Sequence, residues 1–225
     1  MEKLKRFIKN EFISGQTKFD WAFMLIGIIV QIAAIIYTCI NPDGLTNSQI
    51  FWTAVSGLTG IVSVVLCAEG KISFYFFGYI QLFTYVFAVA IPAKLWGEVG
   101  ENVFYLVTMI IGTVIWWKNY KTGKTEVQQV KSKTLTKNQG VLTFIILTVS
   151  TLALGVVLTH MHEWSWLNWL TGGEADPQPW FDSITTTAPF IAQVLLMFGY
   201  RDQWTFWIIE DILSLIMFTI PGPTF

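Results

Sequence analysis

The residues of this sequence that could do chemistry are carboxylates, amides and indoles set into apolar stretches. Glu210 and Asp211 lie within the apolar run 204–220, and Asp182 sits at the mouth of the run 183–199. Ionisable groups in such surroundings are costly and point to function. No Lys, Arg or His occurs in the central part of any of these runs. Around the acids, polar and aromatic residues line up at helical spacing. Asn102, Tyr105, Met109, Gly112 and Trp116 form one face, and Asp182, Thr186, Pro189 and Gln193 a second. Trp204, Trp207, Asp211, Ser214 and Phe218, with Glu210 beside them, form a third, and Gln81, Tyr85, Ala88 and Pro92 a fourth. For a single Thr or Gln the plainer reading is a hydrogen bond between membrane helices. Four faces that combine amides, indoles and acids suit a polar, aromatic-lined cavity instead. Indole faces attract cations, carboxylates pair with them, and amides bond hydroxyls and carboxamides. Such a lining fits a small, flat, partly cationic solute.

The patterns of common enzymes are missing. There is no phosphate-binding GxxxxGK[ST] loop, no GxSxG elbow and no redox CxxC. His160, His162 and Glu163 offer imidazoles and a carboxylate in a loop, without the four ligands at fixed spacing that structural zinc wants. No catalytic residue, metal or cofactor is therefore expected. A retinal protein would need a lysine in its last span, and this one has none. Cys39 and Cys67 fall in apolar runs and are expected to be buried small hydrophobes.

The elements that must position these faces follow from composition. Of 225 residues, 53% are hydrophobic and only 13% charged, against roughly 25% charged in a soluble domain. Lipid is the expected solvent for much of the chain. Seven segments approach the ~20 residues that a helix needs to cross the hydrocarbon core: 21–40, 50–68, 73–92, 102–117, 140–159, 183–199 and 204–220. The fourth and sixth are short, which a thinned bilayer or aromatic anchors would absorb. The expected fold is all-α and polytopic, since a lipid-facing backbone must satisfy its own hydrogen bonds.

With seven spans, 13 of the 14 Lys and Arg fall on one side and only Lys94 on the other. The positive-inside rule then puts the N-terminus in the cytoplasm and the C-terminus outside. The acidic loop with Glu163, Glu174 and Asp176, beside Trp164, Trp166, Trp169 and Trp180, faces out. Residues 1–20 lack the pattern of a cleaved signal peptide. Leu4, Phe7, Ile8 and Phe12 repeat among lysines there, which predicts an amphipathic helix on the inner membrane surface. The near-neutral net charge of −1 hides this asymmetry and gives no reason to expect nucleic acid as a partner.

Shifting the chain by 129 residues lays the second and third spans on the sixth and seventh. Phe51-Trp52 meets Trp180-Phe181, Gly70 meets Gly199, Tyr75 meets Trp204 and Ile91-Pro92 meets Ile220-Pro221. The arrangement is three spans, one linker span and three spans, so the halves run parallel, a known transporter plan. The expected organisation is an amphipathic segment 1–20, a first three-helix bundle 21–93 and a linker helix 94–117. A basic cytoplasmic linker 118–139 and a second three-helix bundle 140–225 complete it.

These residues resemble the PnuC family of bacterial nicotinamide riboside transporters over about residues 50–220. The resemblance rests on Asn102-Val103-Phe104-Tyr105 with Gly112 and Trp116, on Asp182 with Thr185 and Thr186, and on Gln193 and Arg201. Trp204, Trp207, Asp211 and Ser214 complete it, while Glu210 stands where the family usually has an apolar residue. The resemblance implies a fold similar to that of SWEET sugar transporters and facilitated uptake of nicotinamide riboside across the bacterial inner membrane. It implies a cytoplasmic riboside kinase as functional partner, which traps the substrate for NAD biosynthesis. The substrate-binding set expected on this basis is Gln81, Tyr85, Asn102, Tyr105, Trp116, Asp182, Thr186, Gln193, Trp204, Trp207, Glu210 and Asp211. A homo-oligomer in membrane lipid, guessed as a trimer, is the expected assembly. The alternatives are a uniporter for another polar solute, such as a sugar or vitamin, and a membrane-embedded enzyme or sensor using the His160–Glu163 loop.

Overall fold

A computed structural model describes residues 2–42, 44–92, 96–122, 132–167 and 178–219. Glu174, Asp176, Trp169, Lys94 and Ile220-Pro221 lie outside the described residues, as does most of the basic linker. Eight α-helices are described: α1 Glu2–Phe12, α2 Lys18–Ile40, α3 Asn47–Ala68, α4 Phe74–Tyr85, α5 Trp96–Thr122, α6 Lys137–His160, α7 Pro179–Met197 and α8 Gln203–Thr219. No strand occurs among the described residues, only an isolated bridge between Lys133 and Tyr200.

Three helices start three residues ahead of the apolar runs that announce them. Thr17, Thr46 and Thr136 each accept from a backbone N–H three residues on, and Asp20, Gln49 or Gln139 reaches back to the threonine's own N–H. These capping boxes satisfy end groups that have no partner inside a helix. They thereby recruit a polar first turn that a hydropathy reading leaves out. The same correction applies to the fourth span. Its apolar run is short, but α5 has 27 residues and so measures about 40 Å at ~1.5 Å per residue. No thinned bilayer is needed for it. Among the described residues, Lys18–Ile40, Asn47–Ala68, Val99–Asn119 and Lys137–Glu163 are long and apolar enough to cross a membrane.

Helix α4 widens at its end into a π-turn over Val86–Ala90, with the Ile91 N–H bonded to the Val86 carbonyl at 2.9 Å. Pro92 follows directly. It has no N–H to donate, and its ring would collide with a carbonyl one α-turn back, so the wider turn accommodates it.

The chain divides into two compact units, Met1–Lys131 and Ser132–Phe225. In the first, α3 packs against α2 and α4, and α5 packs against α4 and its π-turn. Gln31 of α2 lies flat on Gly57 of α3, where any side chain would displace it. The Ser56 hydroxyl donates to the Gln81 carbonyl at 3.1 Å and that of Ser63 to the Phe74 carbonyl at 2.9 Å. In the second unit α7 packs against α6 and α8. The Thr151 and Thr187 hydroxyls meet at 2.8 Å, and the Trp180 ring rests on Gly155. Small residues at these contacts let the helices approach closely.

Helix α2 fully buries none of its side chains: Met24, Ile28, Gln31 and Ile35 are half-covered, and most of its other apolar side chains, Ile26, Ile29 and Ile36 among them, are exposed. Cys39 is accordingly exposed rather than buried, while Cys67 is buried, and both thiols are free. An apolar run in a membrane protein does not imply an interior position, because lipid also accepts it.

The two hairpin turns carry one motif at the predicted offset. After α3, the Gly70 N–H bonds to the Cys67 carbonyl at 3.0 Å and the Lys71 N–H to that of Leu66 at 2.9 Å. After α7, the Gly199 N–H bonds to Leu196 at 2.8 Å and the Tyr200 N–H to Leu195 at 2.9 Å. Both are Schellman caps, with the glycines at φ 70° and 76°.

Candidate functional site

Helix α5 turns the predicted face inward. Asn102, Met109, Gly112 and Trp116 are buried and Tyr105 is half-buried, whereas Val103, Val107, Ile110 and Val114 stand outside. The 3, 4, 3, 4 spacing therefore marks the packed side of the helix. The Trp116 ring meets Phe74 and Tyr75 of α4 edge-on, with centroids 4.9 and 5.7 Å away. Such T-shaped pairs are favourable beyond the area they bury, and they hold α5 to α4. Tyr79 and Thr113 add a hydroxyl pair at 2.9 Å between the same helices.

Tyr105 donates its hydroxyl to the Glu101 carboxylate at 2.5 Å. Glu101 was absent from the expected set. Its position four residues before Tyr105 puts both on one side of the helix, a signal that the spacing rule offered. Thr108 and Thr113 spend their hydroxyls on carbonyls of their own helix, as Thr does inside membrane helices. In α4, Gln81 and Tyr85 are half-buried, with the Gln81 side chain close to Gly60 of α3.

In the second unit, Gln193 and Pro189 of α7 are buried, and Asp182 and Thr186 are half-buried. Pro179 stands in the first turn of α7, where its missing N–H costs nothing. On α8, Trp204, Trp207, Glu210 and Ser214 are half-buried, but Asp211 is exposed. Ser214 donates to the Glu210 carboxylate at 2.7 Å. Of the two neighbouring acids, Glu210 shares the partly covered side with the indoles. The side chain of Phe218 lies outside the described residues.

The loop after α6 holds a long, exposed contact between His160 Nδ1 and Glu163 at 3.4 Å, and stacked Trp164 and Trp166 rings 6.1 Å apart. Among the described residues no three His, Cys, Asp or Glu come together in a way that could hold a metal ion.

Membrane-length apolar helices, with amides, indoles and carboxylates on their covered sides, define a helical integral membrane protein. Residues 50–225 match the nicotinamide mononucleotide transporter family. The chain belongs to that family, the PnuC transporters. It is 33% identical over 215 residues to the nicotinamide riboside transporter PnuC of Neisseria mucosa, covering 94% of this chain and 73% of that one. It is 34% identical over 212 residues to the nicotinamide riboside transporter PnuC of Haemophilus influenzae, covering 93% and 83%. A crystal structure of the vitamin B3 transporter PnuC superposes with a TM-score of 0.70 at 30% identity, covering 95% of this chain and 82% of that one.

Proposed function

We propose that this chain carries nicotinamide riboside across the bacterial inner membrane by facilitated diffusion. One observation carries the reading: relatives named for riboside transport match 93% and 94% of this chain at about one identity in three. The chemistry of the covered helix faces supports it. A pyridinium ring suits the faces of Trp204, Trp207 and Tyr105. A carboxamide and ribose hydroxyls suit Asn102, Gln81 and Gln193, with Thr186 and Tyr85 as further hydroxyl partners. The fixed positive charge suits Glu210, Asp211 or Asp182. Trp116, enclosed by Phe74 and Tyr75, serves this site by fixing α5 in place.

The layout we propose is seven spans as two parallel three-helix bundles, 21–93 and 140–225, joined by the linker helix 94–117. The N-terminus, with the amphipathic segment 1–20, and the basic linker 118–139 are cytoplasmic, and the C-terminus is outside. Net uptake follows from a cytoplasmic kinase that phosphorylates the riboside and prevents its return. A homo-oligomer, a trimer in the first instance, is the assembly to test.

The family's description favours a second reading, transport of the mononucleotide. Its phosphate brings close to two negative charges at neutral pH, with a second pKa near ~6. Burying that group demands Arg or Lys donors. The apolar runs hold none centrally, and Glu101, Glu210 and Asp211 would repel it. Calorimetry with both ligands on one preparation tests the choice. The riboside should bind at least ~100-fold more tightly, a difference of about 2.7 kcal/mol. Comparable affinities would reverse the assignment, and binding of neither would return the chain to a uniporter of some other solute.

A further inference from the structure

Lys71 and Glu11 are both fully buried, although neither belongs to the candidate site. They meet where the turn after α1 reaches the turn between α3 and α4. Nζ of Lys71 donates to the carbonyls of Asn10 at 2.6 Å and Ser14 at 2.7 Å. Those carbonyls close the C-terminal end of α1, where the helix dipole favours a cation. In the other direction, Glu11 accepts from the Ser73 N–H at 3.0 Å. Phe12 packs edge-on against Phe77, 6.0 Å between centroids. A cation of the turn thus grips the helix while an anion of the helix grips the turn.

Glu69, the residue before Gly70, enters the same cluster. Both its carboxylate oxygens are closed off from solvent without a well-formed hydrogen bond. The charged groups facing it are Asp20 of α2, Lys71 of its own turn and Glu11 of α1, with the Gln16 amide beside it. Burial first, then the Asp20 charge, pushes its pKa up to about 7, and Glu11 adds to this. Lys71 and Gln16 pull the other way. Burial also lowers the pKa of Lys71, against the pull of Glu11 and Glu69.

The second unit makes the equivalent connection with backbone and one carboxylate. The Lys133 N–H bonds to the Gly199 carbonyl at 2.8 Å, and the Arg201 N–H to the Lys133 carbonyl at 2.9 Å. Asp202, the counterpart of Ser73 at the offset of 129, accepts from the Leu135 N–H at 2.9 Å. Both units therefore tie the segment ahead of their first long helix to the following hairpin turn. The first does so through the fully buried Lys71 and Glu11, the second through backbone and a half-buried Asp202.

We propose that this first contact is a pH-responsive latch: α1 stays docked while the Glu69 carboxyl keeps its proton, and loosens when it gives that proton up. Released from the cluster, Glu69 would be hydrated and have its ordinary pKa of 4.5. The docked form therefore binds the proton more tightly. Docking is strongest below pH 4.5, weakens as pH rises towards 7, and gains nothing from this group above that. The inference concerns the first unit alone and holds whatever the solute is.

Dipolar electron paramagnetic resonance tests it in the full chain in nanodiscs. Nitroxides go at Ile13→Cys and Phe76→Cys, both exposed positions, with Cys39→Ser as background. Raising pH from 5 to 8 should increase the ratio of long to short distances about tenfold, a small part of the change a full shift allows. With Glu69→Gln the short distance should persist at every pH, and with Lys71→Met the long distance should be present throughout. An unchanged distribution between pH 5 and 8 would overturn the latch. So would a Glu69→Gln chain that titrates like the unsubstituted one, or a Lys71→Met chain that stays docked.

Discussion

The Tyr105 hydroxyl and the Glu101 carboxylate lie 2.5 Å apart on successive turns of α5. A hydrogen bond to a charged acceptor is worth about 1.5–3 kcal/mol and holds the phenol ring in one orientation beside Asn102. Tyr105→Phe and Glu101→Gln should therefore each lower riboside affinity by roughly three- to tenfold. The double variant should lose no more than the weaker-binding single one, since both remove the same contact. Calorimetry on the four proteins gives the coupling. Additive losses would mean that each residue acts separately.

Trp207→Ala and Asn102→Ala should each weaken riboside binding at least tenfold, about 1.4 kcal/mol. Trp207 lies on the half-buried side of α8 and Asn102 on the buried face of α5. Thermal unfolding of both variants separates lost contact from lost fold. If both bind as the unsubstituted protein does, the substrate lies elsewhere.

Uptake into liposomes should proceed without a sodium or proton gradient. The central parts of the spans carry no histidine or lysine that could relay protons, whereas ion-driven carriers place such groups at mid-membrane. Accumulation that rises with an imposed proton gradient, beyond equilibration, would assign a proton to Glu210 or Asp211, and a rise with a sodium gradient would equally overturn the prediction.

Gly70→Ala and Gly199→Ala should each destabilise the protein by about 1–2 kcal/mol, because both glycines hold positive φ at a helix end. Gly100→Ala is the control. It lies within α5 with open space around it and should be neutral or stabilising by up to ~1 kcal/mol. Denaturation midpoints in one detergent compare all three. Equal effects at Gly70 and Gly199 would follow from the shared cap geometry.

Apolar runs and turn glycines are local features, and each was legible in the sequence. The run 140–159 announced α6, and Gly70 and Gly199 marked matching turns. The spacing of Asn102, Met109, Gly112 and Trp116 likewise named the packed side of α5, because a helix repeats every ~3.6 residues whatever surrounds it. Periodicity did not settle the acids of α8: it set Asp211 on the face of Trp204 and Trp207, yet Asp211 is exposed and the adjacent Glu210 is half-covered. Nor could it foresee Lys71, which counts in the sequence as one more positive charge beside a membrane. It is buried because Asn10, 61 residues earlier, returns against it. A residue's neighbours along the chain specify its helix and its face. Whether that face meets lipid, water or another helix depends on segments distant in sequence, and only the tertiary structure brings those together.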